Sequence, residues 1–211
     1  MTTYTFLWNN ESWKRKDELA RSTGDRHIDY IAGDAKKPLV NFVAGDEIFV
    51  ITVRGGNLYI GGRLIVNSSP VTKAQAVEAL GRKDLIDKDR YVLATRDRLD
   101  IFRPATLVDL DDAKSLELYT STGESKKPDL DEHGGIDRQT FRSPYRLTAK
   151  SASVLRGYLQ LSPSEDSPKA TPAIPPKFPL DPLKRKRTPV SPEQDDATRK
   201  KQVENGAKGL L

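Results

Sequence analysis

Nine of the fourteen prolines in this 211-residue chain fall after Leu161. Proline fixes φ and donates no backbone hydrogen bond. A segment such as Thr171-Pro172-Ala173-Ile174-Pro175-Pro176 therefore builds neither helix nor sheet, and it has too little apolar surface to offset the entropy of ordering it. The sequence thus predicts one folded domain over residues 1–161 and a flexible, Pro-rich linker over 162–190. Ser191-Pro192-Glu193-Gln194 then reads as a strong helix start, with a capping serine, proline at the first position and glutamine three residues after the cap. Little chain is left for that helix to pack against. Residues 191–211 are accordingly expected to open a further domain that is truncated or missing.

Before Leu161 the apolar residues recur at secondary-structure periods. Tyr4, Phe6 and Trp8 alternate with Thr3, Thr5 and Leu7, the period of a strand. Glu47–Arg54 is a β-branched and aromatic run. Gly55-Gly56 supplies the positive φ angles of a tight hairpin, and Asn57–Asn67 returns as a second strand. Gly61-Gly62 inside it predicts a bulge or a close approach by another backbone or a ligand. Shorter strands are expected at Arg90–Thr95, Leu99–Phe102 and Leu116–Tyr119. Helices are predicted at Ser12–Arg21 before Gly24, after the Thr72-Lys73-Ala74-Gln75 capping box up to Gly81, and after Thr148 with Ala152, Leu155 and Leu159 on one face. The class is α+β: a small antiparallel β-barrel with short flanking helices, followed by a disordered tail.

The net charge of +5 divides into +3 after Leu161 and +2 before it. A nearly neutral body cannot bind phosphates through its overall field, so any basic patch has to be local. The best local cluster is Lys14-Arg15-Lys16 beside Trp13, with Arg63 and Arg142 as further candidates. A solvated helix face explains the same cluster equally well. There is no cysteine, which excludes disulfides and thiolate metal sites. No run approaches the ~20 apolar residues of a membrane span, and the first residues lack a signal-peptide layout. The cytoplasm is the default expectation.

Catalytic patterns are weak. Asp111 with Glu124-Ser125-Lys126 has the residue types of a nuclease metal centre, but that chemistry needs carboxylates on neighbouring buried strands. Thr122–Pro128 reads as an exposed loop instead. The two histidines, His27 and His133, stand far apart in polar contexts. No phosphate-binding glycine loop or nucleophile elbow is present. The expectation is no catalytic site, metal or cofactor.

The order of motifs resembles a known family. A tryptophan near the N-terminus (Phe6-Leu7-Trp8-Asn9-Asn10-Glu11-Ser12-Trp13), then Gly45-Asp46 with a hydrophobic strand, then a glycine-containing strand ending Val66-Asn67-Ser68, resembles the EVE and EVE-like domains of the PUA superfamily. Such domains occur in modification-dependent restriction proteins. Arg142–Thr148 with the helix after it resembles the end of such modules. Leu7 and Asn10 depart from the family's threonine and proline. The resemblance covers residues 1–161. It implies a PUA-like pseudo-barrel whose pocket accepts a flipped base, often a modified cytosine, in DNA. RNA is the alternative partner, a protein-interaction adaptor is the rival class, and a C-terminal effector or nuclease is the implied neighbour. The base-binding candidates are Trp8, Asn9, Trp13, Phe49, Gly61, Gly62 and Ser68. The phosphate candidates are Lys14, Arg15, Lys16, Arg63 and Arg142. Between the tryptophans, Trp13 is favoured as the stacking wall, because Trp8 continues the Tyr4/Phe6 core face.

Overall fold

The computed structural model describes residues 1–34, 38–120 and 122–161. The linker and helix expected at 162–211 lie outside the described residues. A six-stranded sheet runs in the order β4 (Asn57–Ile65), β3 (Glu47–Arg54), β1 (Thr3–Leu7), β8 (Tyr145–Leu147), β6 (Leu118–Tyr119), β7 (Ser125–Lys126). A two-stranded sheet pairs β2 (Tyr30–Gly33) with β5 (Arg90–Leu93). The helices are α1 (Asn10–Thr23), α2 (Lys73–Leu80), α3 (Leu110–Ser115) and α4 (Ala149–Leu161). The architecture is therefore α+β, as expected. None of the described helices is long and apolar enough to cross a membrane.

Local chemistry explains most boundaries. Asn9 caps α1 by accepting from the Ser12 N–H, and Gly24 ends it in the left-handed conformation. Thr72 and Gln75 form the reciprocal capping box of α2. Gly55 and Gly56, both at positive φ, make the two-residue turn between β3 and β4. Thr148 accepts from the Ser151 N–H at the start of α4, whose Ala152, Leu155 and Leu159 are buried.

Two expectations are corrected. The sheet is mixed, not antiparallel, because β1 runs parallel to β3 in the register Thr3 opposite Glu47 through Leu7 opposite Ile51. A parallel pair needs a long crossover, and residues 8–46 supply it with α1 and β2. Leu99–Phe102 forms no strand; it makes an isolated bridge from Ile101 to His27, because Asp100 turns its carboxylate to the N–H groups of Arg63 and Ile101.

The bulge falls where the paired glycines predict it. Val50 pairs with Gly62 and Ile51 with Ile60, leaving Gly61 as the extra residue. One extra residue reverses which side chains face which way. Leu58 and Ile60 thus enter the core beneath α3 and α4, with Phe49, Ile51 and Leu155, while Leu64 and Val66 enter a second core with Trp13, Ile31 and Ile48. At β3 and β4 the large sheet is buried on both faces. β5 continues from β4 through a Val66–Ala94 bridge, so the small sheet folds over the second core.

Glu47 fixes the register. It is 0% exposed. Its carboxylate accepts from Arg156 Nε at 3.1 and 3.2 Å and from Nη2 at 2.5 Å, from Arg63 Nη1 at 3.2 Å, and from the Thr3 hydroxyl at 3.2 Å. We expect Arg156→Met to cost about 3 kcal/mol, since removing one partner strands a buried charge. Urea unfolding followed by tryptophan fluorescence measures this, and a loss indistinguishable from zero would mean the cluster does not hold α4 to the sheet.

Candidate binding cavity

The α1 sequence carries two adjacent stripes. Trp13, Lys16 and Ala20 are buried against the core. Ser12, Arg15, Leu19 and Ser22, at helical spacing, line an open cavity of about 940 Å³. Its other walls come from the end of β1 (Phe6, Leu7) and Trp8, from Asp29–Asp34 on and beside β2, from the 82–88 loop, and from Arg138–Ser143. The cavity occupies a break in hydrogen bonding. β1 pairs with β8 only through Tyr4 and Thr5, and β2 pairs with β5 alone among the described residues. Two strand edges thus face one space, and the eight strands do not close a barrel.

Five of the twelve residues predicted from sequence line this cavity: Trp8, Asn9, Arg15, Lys16 and Arg142. Trp8 is half-buried and is held from behind by an aromatic cluster. Its ring centroid lies 6.4 Å from Trp13, edge-on, and 5.8 Å from Phe102. Trp13 is only 2% exposed, with Phe102 at 4.9 Å and the Arg54 guanidinium 5.1 Å over its ring. The expected roles are therefore exchanged. Trp13 is the anchor and Trp8 the accessible aromatic, because Trp8 lies one residue past β1, where the sheet no longer covers it.

The remaining candidates are corrected by their surroundings. Phe49 is fully buried beneath α4. The space beside Gly61 is filled by Trp13 and Phe102, and that beside Gly62 by Ile28 and the Ile101 carbonyl, so a side chain at either would collide at 2.7–2.9 Å. These glycines admit the protein's own side chains, not a ligand. Ser68 bonds the Ser69 carbonyl away from the cavity. Arg63 does not line the cavity: it pairs with Glu47 at 3.2 Å and lies 3.9 Å from Asp100. Lys14 is exposed outside the cavity lining, 3.8 Å from Glu18. Asn9 lines the cavity, and its side-chain oxygen is the cap of α1.

Sequence reading missed Tyr30, Asp29, Arg82 and Arg138. Arg82 is the organiser of one wall: it meets Asp84 at 2.7 and 2.8 Å, Asp29 at 3.0 Å and Asp25 at 3.3 Å. The Asp84 hydrogen bonds hold its pKa above the usual value. Burial raises the Asp29 pKa against the pull of Lys16 and Arg82. Burial also works to raise Asp25, but Lys16, the His27 N–H and Arg82 outweigh it and leave that pKa lowered. No local signal marks Arg82, which sits in a loop and meets Asp25 and Asp29 across more than fifty residues. Arg138 and Arg142 also line the cavity and make no ion pair among the described residues. Six cations line the cavity (Arg15, Lys16, Arg82, Lys88, Arg138, Arg142) against four carboxylates (Glu18, Asp29, Asp34, Asp84), a local excess on a nearly neutral body.

Among the described residues no three His, Asp or Glu side chains gather as metal ligands, and Glu124 is exposed. No protein-family model matches the chain, and no curated protein matches it.

We expect Trp13→Ala to cost about 3–5 kcal/mol of stability, the usual penalty for emptying an aromatic core site, and Trp8→Ala distinctly less. Chemical denaturation of the two variants tests the exchanged roles; the opposite ranking would return Trp13 to the wall.

Proposed function

We propose that the described residues form a PUA-like pseudo-barrel that binds nucleic acid by receiving an unstacked base in the cavity beside Trp8. The observation that carries this reading is a half-buried tryptophan, stiffened by Trp13 and Phe102, that lines a 940 Å³ cavity together with arginines free of ion pairs among the described residues. A base taken out of a stack needs an aromatic face and polar groups for its edge. Trp8 offers the first. The open backbone edges of β1 and β2, the Asn9 amide and Asp29 offer the second. Arg138 and Arg142 suit phosphates, which position the strand without reading its sequence. Ligand cavities of ~300–1,000 Å³ are the usual size for small-molecule-scale groups, and this one lies within that range.

The fold reading rests on continuity. Through the Val66–Ala94 bridge the strands follow one ribbon from β2 to β7, and β2 and β1 line the same space. A modified cytosine in DNA is the ligand we put first, with RNA as the other arm of the test. A protein adaptor is disfavoured by the exposure of Trp8, since an inert scaffold gains nothing from an aromatic left half in water beside unpaired arginines.

The test is gel-shift titration with matched duplexes carrying cytosine or 5-methylcytosine, and an RNA of the same sequence. Trp8→Ala is expected to weaken binding by about 1–3 kcal/mol, the worth of one stacked base. Arg142→Ala is expected to weaken all ligands alike and to lower the salt slope by about 1. Unchanged binding in Trp8→Ala would refute the base cavity.

A further inference from the structure

Arg138, Arg142 and Arg146 recur every four residues in one segment, and none of them makes an ion pair among the described residues. The first two line the cavity. Arg146 is exposed and lies outside the cavity lining. Its place follows from strand alternation. In β8 and β6, Leu147 and Leu118 are buried in the core beneath α4, so Arg146 and Tyr119 turn to the opposite face of the sheet. There they stand in a row across the strands, with Tyr4 opposite Arg146, Arg146 opposite Tyr119 and Tyr119 opposite Ser125. The Arg146 guanidinium lies 4.1 Å over the Tyr119 ring. That contact fixes a long side chain in advance, so less entropy is lost when it meets a ligand. Its charge also reaches Tyr4: burial and Asp46 raise the pKa of that hydroxyl, and Arg146 works against them. Tyr119 is half-buried and Ser125 exposed, so the row from Arg146 outward is open.

β8 joins this row to the cavity. β1 and β8 are paired at Tyr4 and Thr5. Beyond that pair they part, and Phe6 and Leu7 on one side and Arg142 and Ser143 on the other line the cavity. Arg142 and Arg146 thus stand on either side of the place where the sheet opens, at most about 14 Å of chain apart. A guanidinium presents a planar fork of donors that matches phosphate oxygens. One such group would serve a lone phosphate or a single acidic side chain. Three without ion pairs, repeated along one segment, fit a polymer that carries a charge on every unit.

We propose that Arg146, stacked on Tyr119, binds a phosphate of the same strand whose base enters the cavity, so that the strand runs from Arg142 along β8 onto the open face of the sheet. The inference rests on the nucleic-acid reading above and adds a second contact surface and a ligand class: a single strand several nucleotides long, not an isolated nucleotide.

The experiment titrates the full chain against fluorescein-labelled single strands of two and of eight deoxycytidines, by fluorescence anisotropy at several salt concentrations. The longer strand is expected to bind more tightly and with the steeper salt dependence. Arg146→Gln should flatten that slope by about 0.7, the change for one phosphate contact on a single strand, and leave the shorter strand unaffected. Its melting temperature should match that of the parent, because Arg146 is exposed. Lys14→Gln removes an equal charge outside the cavity lining and should change neither strand. Equal slopes for the parent and Arg146→Gln on the longer strand would overturn the contact. An equal loss in Lys14→Gln would overturn it too, since a diffuse field would then explain both. Trp8→Ala separates the two readings: if it binds as the parent does while Arg146→Gln is weakened, the base cavity falls and the phosphate contact stands without it. A chain that binds neither strand brings down both.

Discussion

The buried carboxylate of Glu47 is the constraint on which the sheet depends. A charge with no exposure is tolerable only when every oxygen is met, and Glu47 meets this demand with groups from three other elements. Thr3 comes from β1, Arg63 from β4 and Arg156 from α4, 109 residues away in sequence. A slip of one residue between β1 and β3 would move Thr3 off the carboxylate. A slip between β3 and β4 would move Arg63. A buried ion cluster of this kind adds little net stability compared with apolar packing, but it penalises each wrong register. It therefore selects among pairings that the β-branched run Ile48–Val53 would otherwise permit.

The bulge at Gly61 is the second determinant, and it connects the sheet to the cavity. By reversing the phase of β4 it serves two cores from one strand, and by lacking a side chain it lets Trp13 and Phe102 lie against the backbone. Trp13 in turn fixes the rotation of α1. That rotation turns Ser12, Arg15 and Leu19 toward β2 and leaves Lys16 at the seam. The glycines thus shape the ligand space from a distance. Their absence from the cavity wall is no evidence that they are unimportant to it.

How much was legible follows from the range of the signals. Caps and turns are local, so Gly24, the Thr72/Gln75 box, Gly55-Gly56 and the bulge could all be read from neighbouring residues. Alternation placed β1, β3 and β4. It did not give the direction of β1, because a parallel partner is decided by the crossover and by Glu47, neither of which has a periodic signature. β2 escaped notice because Tyr30–Gly33 is short and ends in glycine. The site was half visible for the same reason. Trp8, Asn9, Arg15 and Lys16 cluster in sequence and could be found together. Asp29, Arg82 and Arg138 join them only through folding. The ranking of the tryptophans failed at a strand end: Trp8 keeps the phase of Tyr4 and Phe6 but extends past the last residue of β1, and periodicity does not say where a strand's cover stops.

Charge at the cavity shows why the balance of the whole chain was a poor guide. Arg82 is committed to three carboxylates and Lys88 to Asp34 at 2.9 Å, so neither contributes much to the outward field. Arg15 donates to the Asp84 carbonyl, which orients it without neutralising it. What remains effective is Arg15 with Arg138 and Arg142, brought from distant parts of the sequence to one cavity. Screening confines each such charge to roughly 8 Å at physiological salt, so three of them around one opening act on a ligand there while a net charge of +2 spread over the domain does not. The wall around Arg82 has the opposite character, with Asp25, Asp29 and Asp84 gathered on its guanidinium and Lys16 3.7 Å from Asp25. A ligand with an anionic part for these arginines and an aromatic part for Trp8 suits that arrangement. Under the proposed function a nucleotide supplies both, its phosphate to the arginines and its base to Trp8.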